Sequence, residues 1–544
     1  MISTRILGHL AFTTLVLGCG ATPAPSAPLP APPAESAKPA ACIPDLAPAP
    51  DLSGEWEVRW DRTFTGWWPP VLEGRMTLTR EENAWKGTLV FGQSVWRPTL
   101  IQLHQRGDQL ELIWGDGGLA TIDIAAWVRE GRLIGEMRSG DKVGPSAFSG
   151  RRSTLAPLEP RTVDSGLPRH ELAPSPELAN LLDQARSEHS TAVVVLEKGN
   201  VAVEAYSKGY SGNSVFAMSA SKSIASLAVG MLVADGKLSL DTTMGSLFPA
   251  WKKLGDKAKI TVRQLLDHTS GLDPMRAEFT SETIEASATR AKLVFAPGKR
   301  FHYNNAAVDF LAVVFARAAG TGLDKYLDER LFSKIGAVGV DWMRDKAGVP
   351  RAAGELMLRP IDLAKVGQLV LAGGVWEGQQ LVPRAWIEES MKPSQPYEET
   401  CGRLWWREGE FDSVITAETL DGWAAAGGDK ATIASAQKLV GKRFPDDPTL
   451  FRELAAAIGD APMNALQAVL AKGNHVPWSG HVARSPSRGF SARGFLGQFL
   501  VVYPSAGVVG VRMREGTASD YQGDSGKDGY PGFATDLASV FHVK

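Results

Sequence analysis

The run Ser214-Val215-Phe216-Ala217-Met218-Ser219-Ala220-Ser221-Lys222-Ser223 stands between a strand hairpin and an apolar helix. The hairpin is read from Thr191–Glu197 and Val201–Tyr206, joined at Lys198-Gly199-Asn200. The helix is read from about Ser219 to Asp235. A serine and a lysine three residues apart share one helix face, one turn apart. A serine hydroxyl is a poor nucleophile without an adjacent base. Lys222 is placed to be that base, or to support a second base by its charge. The helix N-terminus favours negative charge developing at Ser219. The spacing alone is weak, because Ser435-Ala436-Gln437-Lys438 repeats it in an Ala-rich stretch with no strand before it.

Outward from this run, two further segments carry chemistry-bearing side chains. Leu265-Leu266-Asp267-His268-Thr269-Ser270-Gly271-Leu272 comes first, then Phe301-His302-Tyr303-Asn304-Asn305. Common alternatives are missing. There is no G-x-S-x-G elbow, no H-E-x-x-H, and no Gly-Lys followed by Ser or Thr.

The order and spacing of these motifs resemble the serine β-lactamase and penicillin-binding-protein superfamily, specifically its class C and esterase-like branch. The resemblance covers roughly 180–400 and 488–544. It includes the run from Ala192 through Glu204 and Gly209 to Lys222, Pro297-Gly298 before Tyr303, and Cys401-Gly402-Arg403-Leu404-Trp405-Trp406. It implies an α+β domain, an antiparallel sheet flanked by helices plus a helical subdomain. It also implies a serine hydrolase working through an acyl-enzyme on ester or amide substrates, of esterase, peptidase or amidase type. Ser219 would be the nucleophile, with Lys222 within hydrogen-bond reach. Tyr303 would relay the proton; a tyrosine, with an ordinary pKa of about 10, needs a flanking cation to act as base. Asn305 would hold substrate through its amide. His268 would be structural.

The third motif departs from the lactamase pattern. Family members carry Lys-Thr-Gly or His-Thr-Gly, whereas this chain reads Ala492-Arg493-Gly494, then Phe495-Leu496-Gly497-Gln498. The missing cation at Ala492 puts β-lactams second as substrates, with Arg493 as a partial substitute. Ser219 and Phe495 would supply the oxyanion-hole amides. The alternatives are a true β-lactamase or DD-carboxypeptidase, and a catalytically idle envelope protein that binds through the same fold. No metal or organic cofactor is implied; the partner is a small-molecule or short-peptide substrate.

The rest of the chain is read from composition. Arg5 and the apolar Ile6–Leu17 form an export signal, and Val16-Leu17-Gly18-Cys19 resembles a bacterial lipobox, with Cys19 as the lipidation site. This implies an exported protein, held to the cell envelope by a lipid anchor. Residues 20–50 hold ten of the 34 prolines and read as an extended stalk. Residues 51–155 hold eight of the 16 tryptophans in short alternating runs, predicting a small all-β barrel or sandwich. Core packing is the favoured use of those tryptophans, with a sugar or lipid site second. Residues 156–176 read as a linker, from five prolines without periodicity. The catalytic domain runs from 177 to 544, with a helical insertion at about 412–484 that its position suggests as a lid. A net charge of −2 argues against nucleic acid as a partner. Three cysteines make no disulfide scaffold, and pairing of Cys42 with Cys401 is left open.

Overall fold

A computed structural model describes residues 51–61, 71–81, 84–91, 99–106, 109–115, 121–129, 132–139, 143–152, 158–208, 210, 212–274, 282–472, 476–515 and 529–543. The chain divides into two units, Met1–Ala49 and Pro50–Lys544. The export signal, Cys19, the Pro/Ala stretch and Cys42 all lie outside the described residues.

The tryptophan-rich region is a closed meander of eight antiparallel strands. These are β1 (Gly54–Asp61), β2 (Val71–Glu81), β3 (Ala84–Phe91), β4 (Thr99–Arg106), β5 (Gln109–Gly115), β6 (Thr121–Arg129), β7 (Arg132–Ser139) and β8 (Val143–Arg152). β8 closes the ring on β1, from Trp56↔Arg152 to Asp61↔Ala147. Closure removes the exposed strand edges that invite aggregation. Alternate residues fill the interior, among them Trp56, Met76, Leu112, Trp114, Ile124 and Met137. Trp56 and Trp114, at 1% and 0% exposure, serve as core. Trp67, Trp68 and Trp96 lie outside the described residues.

The segment read as a linker is attached to the next domain. Its Leu158–Pro160 forms β9, an edge strand paired with Asn200–Ser207, a place where a proline removes no inner ladder bond. Glu204 then accepts from the Val163 amide (3.2 Å) and from Arg169, fixing the stretch to the sheet. Proline counts alone could not show this, because a distant buried carboxylate does the holding.

The domain from 177 onward is built on a seven-stranded antiparallel sheet. Its order is Trp406–Glu408, Gly489–Gly494, Gln498–Tyr503, Val508–Met513, β10 (Ala192–Glu197), β11 (Asn200–Ser207), β9. Lys198 and Gly199 take positive φ (49° and 82°), the turn that suits a two-residue hairpin. Helix α1 (Pro176–Ser187), capped by Ser175, and helix Phe533–Val540 pack together against the sheet. The main core includes the other sheet face, with α2 (Ser221–Ala234), Asn305–Ala319 and Pro360–Leu371. α2 is buried all round, as a central helix must be.

The insertion is more than helical. It leaves the sheet at Glu408 and returns at Gly489, which are paired neighbours. Between them, strands Phe411–Val414, Arg443–Phe444 and Gly480–Ala483 form a small sheet. Helices Ala417–Ala425, Lys430–Ala436, Asp447–Ile458 and Asp460–Lys472 accompany it around a core of Trp423, Leu450, Leu454 and Leu466. Two-residue and four-residue strands carry little sequence signal beside four amphipathic helices.

His481 ties this insertion to the body. Its Nδ1 lies 2.8 Å from Glu398 and its Nε2 3.5 Å from Asp447. Burial alone would lower its pKa, but Asp447 and Glu398 outweigh it and push it up to about 10. A histidine protonated more readily when folded adds stability that is complete below about pH 6.5 and fades as pH rises through its folded value. His481→Asn should therefore lower Tm more at about pH 6 than at about pH 10.5. Equal losses in the two buffers would show that the charge does not matter.

Candidate active site

The strand Val215–Phe216 pairs with Leu356–Leu358, and the Ala217 amide donates to the Leu356 carbonyl (2.8 Å). Met218 then takes φ +49°, a left-handed conformation costing about 1–3 kcal/mol for a non-glycine residue. The chain enters a 3₁₀ turn, Met218–Ala220, that runs into α2. Ser221 secures the turn: its hydroxyl donates to the Met218 carbonyl (2.6 Å) and accepts from the Leu356 amide (3.2 Å). Ser219 is thereby set half-buried at the head of a buried helix.

Lys222, one turn on, is 3% exposed. Its Nζ donates to Ser219 Oγ at 2.9 Å and to the Ala353 carbonyl. It also stands 4.9 Å from the centre of the Tyr303 ring. Two oxygen acceptors and an aromatic face thus fix the ammonium beside Ser219. The Ala353 carbonyl is itself held, because the Ala353 amide donates to Asp309 Oδ1 (2.9 Å) from helix Asn305–Ala319. Asp309 and Arg351, buried 3.6 Å apart, complete that support.

Tyr303 is positioned through its neighbours. The His302 amide donates to the His268 carbonyl (2.8 Å), and the Asn304 amide to His268 Nδ1 (3.1 Å). Asn304 also caps the following helix, accepting from the Ala307 amide, and donates to the Leu272 carbonyl (2.7 Å). Burial, assisted by the Lys222 charge, holds His268 down at about 3. A neutral ring with Nδ1 accepting is a structural clamp, as expected for this residue. Tyr303 itself lies between His268 (centroids 4.7 Å) and Trp406 (6.1 Å, 25° between planes). Trp405, by contrast, is fully buried against Phe490.

The third motif arrives from Gly489–Gly494. A methyl group added at Gly494 would stand 2.5 Å from the Ala217 carbonyl oxygen and 3.0 Å from the Ser219 amide nitrogen. Only glycine lets this strand press against the nucleophile turn, bringing the Phe495 end of the strand to Ser219. Ala492 is fully buried. Arg493 is exposed, but its guanidinium turns to Glu408 Oε1 (2.6 Å) and Ser491 Oγ (3.0 Å). Asn305 opens the helix beside Tyr303, with its Oδ1 buried and without a hydrogen-bond partner among the described residues.

The structure therefore brings Ser219, Lys222, Tyr303 and Gly494 into one neighbourhood, with Asn305 two residues beyond Tyr303 and Phe495 next after Gly494. Ser435 and Lys438 lie in the insertion instead. Cys401 is 1% exposed, and burial raises its thiol pKa. Asp309 was signalled only as a lone charge in an apolar helix; the Ala353 carbonyl had no signal at all. Among the described residues, no cluster of three or more His, Cys, Asp or Glu is arranged to hold a metal.

Comparison with known proteins bears on this arrangement. The family model described as Beta-lactamase matches residues 178–525. The chain belongs to the Beta-lactamase family. A curated relative, the 6-aminohexanoate-dimer hydrolase of Paenarthrobacter ureafaciens, is 26% identical over 268 residues. That match covers 45% of this chain and 66% of the relative, just under two thirds of its length. Among solved structures, a penicillin-binding protein from Bacillus halodurans is 15% identical with a TM-score of 0.41, over 67% of this chain and 100% of that one. A β-lactamase/D-alanine carboxypeptidase from Pseudomonas syringae is 14% identical with a TM-score of 0.42, over 68% and 99%. The Beta-lactamase-family match spans most of the catalytic domain and leaves the barrel outside it.

Proposed function

We propose that this protein is a serine hydrolase that cleaves esters or amides through an acyl-enzyme on Ser219. The observation that carries the reading is the Lys222 Nζ to Ser219 Oγ hydrogen bond of 2.9 Å, made beside the Tyr303 ring. Ser219 Oγ attacks the substrate carbonyl as its proton passes to the Lys222/Tyr303 pair. The Ser219 and Phe495 amides receive the developing oxyanion, where such donors are worth about 3–4 kcal/mol each. The same pair protonates the leaving group, and water then hydrolyses the ester by the reverse path. Asn305 Oδ1, buried and without a partner among the described residues, suits a substrate N–H, since leaving it unpaired costs about 1–3 kcal/mol. The name of the curated relative, a hydrolase of an amino-acid dimer, is a second reason to keep amides beside esters.

On this reading the branch is the esterase-like one, and β-lactams are poor substrates because Ala492 offers no cation and Arg493 is engaged. The same proposal puts the enzyme outside the cytoplasm, on the Cys19 anchor and its stalk. The test is a panel of p-nitrophenyl butyrate, D-amino-acid peptides and nitrocefin, assayed beside a Ser219→Ala blank. Ser219-dependent turnover should be highest on the ester or a peptide and lowest on nitrocefin. Turnover of nitrocefin above the others would make it a β-lactamase.

A further inference from the structure

The edge of the sheet beside Ser219 carries a charge pair that the hydrolase reading does not use. Strands Trp406–Glu408 and Gly489–Gly494 pair with Trp406 opposite Ser491. Side chains two apart on a strand share a face, so Trp406, Glu408, Ser491 and Arg493 stand on one face of this hairpin. Trp406 on that face stacks on Tyr303, and Arg493 directly precedes the Gly494 that packs on the Ser219 amide. Arg493 is thus a cation one residue from the strand end that reaches the Ser219 turn, with its guanidinium over the Phe499 ring (6.0 Å). It is turned back along its own strand: Nη2 donates to Glu408 Oε1 at 2.6 Å and Nε to Ser491 Oγ at 3.0 Å. Ser491 Oγ in turn donates to the same Glu408 oxygen. The Glu408 side chain is 9% exposed, while that of Arg493 is 42% exposed.

We propose that Glu408 is a specificity-determining residue, holding Arg493 away from the cleft so that the enzyme selects against substrates carrying a carboxylate beside the scissile bond. This rests on the serine hydrolase reading. A guanidinium beside the cleft would ordinarily grip an anionic substrate by charge-assisted hydrogen bonds. Here an incoming carboxylate competes with Glu408 for the guanidinium, and drawing Arg493 away would leave a largely buried Glu408 without its counter-charge, which is strongly unfavourable. Discrimination of this kind comes from a built-in penalty on the wrong ligand as much as from contacts to the right one. Glu408 acts through Arg493 and is a positioning residue.

The test compares neutral and carboxylate-bearing esters of matched size. 4-Nitrophenyl pentanoate is set against 4-nitrophenyl hydrogen glutarate, with the carboxylate on the acyl side. Phenyl butyrate is set against 3-carboxyphenyl butyrate, with the carboxylate on the leaving group. In Glu408→Gln the carboxylate-to-neutral ratio of kcat/KM should rise roughly tenfold for at least one pair, mainly through KM. Glu408→Asp should keep the wild-type ratio, and Glu408→Gln with Arg493→Gln should return to it. Arg493→Gln alone should leave the ratio unaltered; if Glu408→Gln does not fold, Ser491→Ala, which removes the hydroxyl that joins Arg493 Nε to Glu408, should raise the ratio in the same direction, and an unchanged ratio there overturns the proposal. The proposal is overturned by an unchanged ratio in Glu408→Gln, by a rise that survives loss of Arg493, or by a fall in Arg493→Gln. If no ester shows Ser219-dependent turnover, the hydrolase reading fails and takes this inference with it. Ser219-dependent turnover with an unchanged ratio removes this inference alone.

Discussion

Ser219→Ala is expected to reduce ester turnover by at least about a thousandfold, the scale on which a covalent nucleophile acts beyond binding and oxyanion stabilisation. The variant should keep its fold. Ser219 is half-buried, and its side-chain partner among the described residues is Lys222, which retains the Ala353 carbonyl as acceptor. The turn itself is held by Ser221 and by the Leu356 pairing, neither of which the substitution touches. Steady-state kinetics and a thermal melt, run on the same preparation, check both halves. Turnover within about tenfold of wild type would place the nucleophile elsewhere.

Lys222→Met is expected to cost nearly as much activity, about a hundredfold to ten-thousandfold, the range for loss of a positioned proton-transfer group. The physical case is the burial of Lys222 at 3% exposure with its ammonium on Ser219 Oγ and its flank over Tyr303. Methionine keeps the length of the side chain and removes both the proton donor to Ser219 Oγ and the positive charge over the Tyr303 ring. Stability should change little. The variant leaves the Ala353 carbonyl without this donor, at a cost of about 1–3 kcal/mol, but it also removes a buried charge, which is often stabilising. The decisive comparison is kcat against KM. A fall in kcat with KM retained fits a group acting on the reaction; a rise in KM alone would make Lys222 a binding residue.

What the sequence made legible was local. Ser219 and Lys222 sit one turn apart, so their spacing states their contact. The hairpin at Lys198-Gly199-Asn200, the α2 helix and the closing strands were readable for the same reason. The barrel was readable from alternation, because inward residues such as Leu112 and Trp114 repeat with period two. What was not legible depended on distant or backbone groups. Ala353 contributes a carbonyl, which no side-chain pattern marks. Glu408 and Arg493 are 85 residues apart, and the insertion separates two strands that are neighbours. The resemblance marked Gly494 as part of the third motif, but its packing against the Ser219 amide came from the structure, since nothing in a lone Gly announces which backbone it must approach. The proline-rich stretch at 156–176 looked free because Glu204, which holds it, lies on another strand.

The central claim is that the reaction passes through an ester on Ser219. Rapid acid quench of the full chain after mixing with p-nitrophenyl butyrate, followed by intact-mass and peptide mass spectrometry, tests it directly. A butyryl mass increment on the peptide containing Ser219, formed before the steady state and missing from Ser219→Ala, is the predicted result. An increment that persists in Ser219→Ala or maps to another residue would contradict the account, and so would Ser219-independent turnover without an adduct.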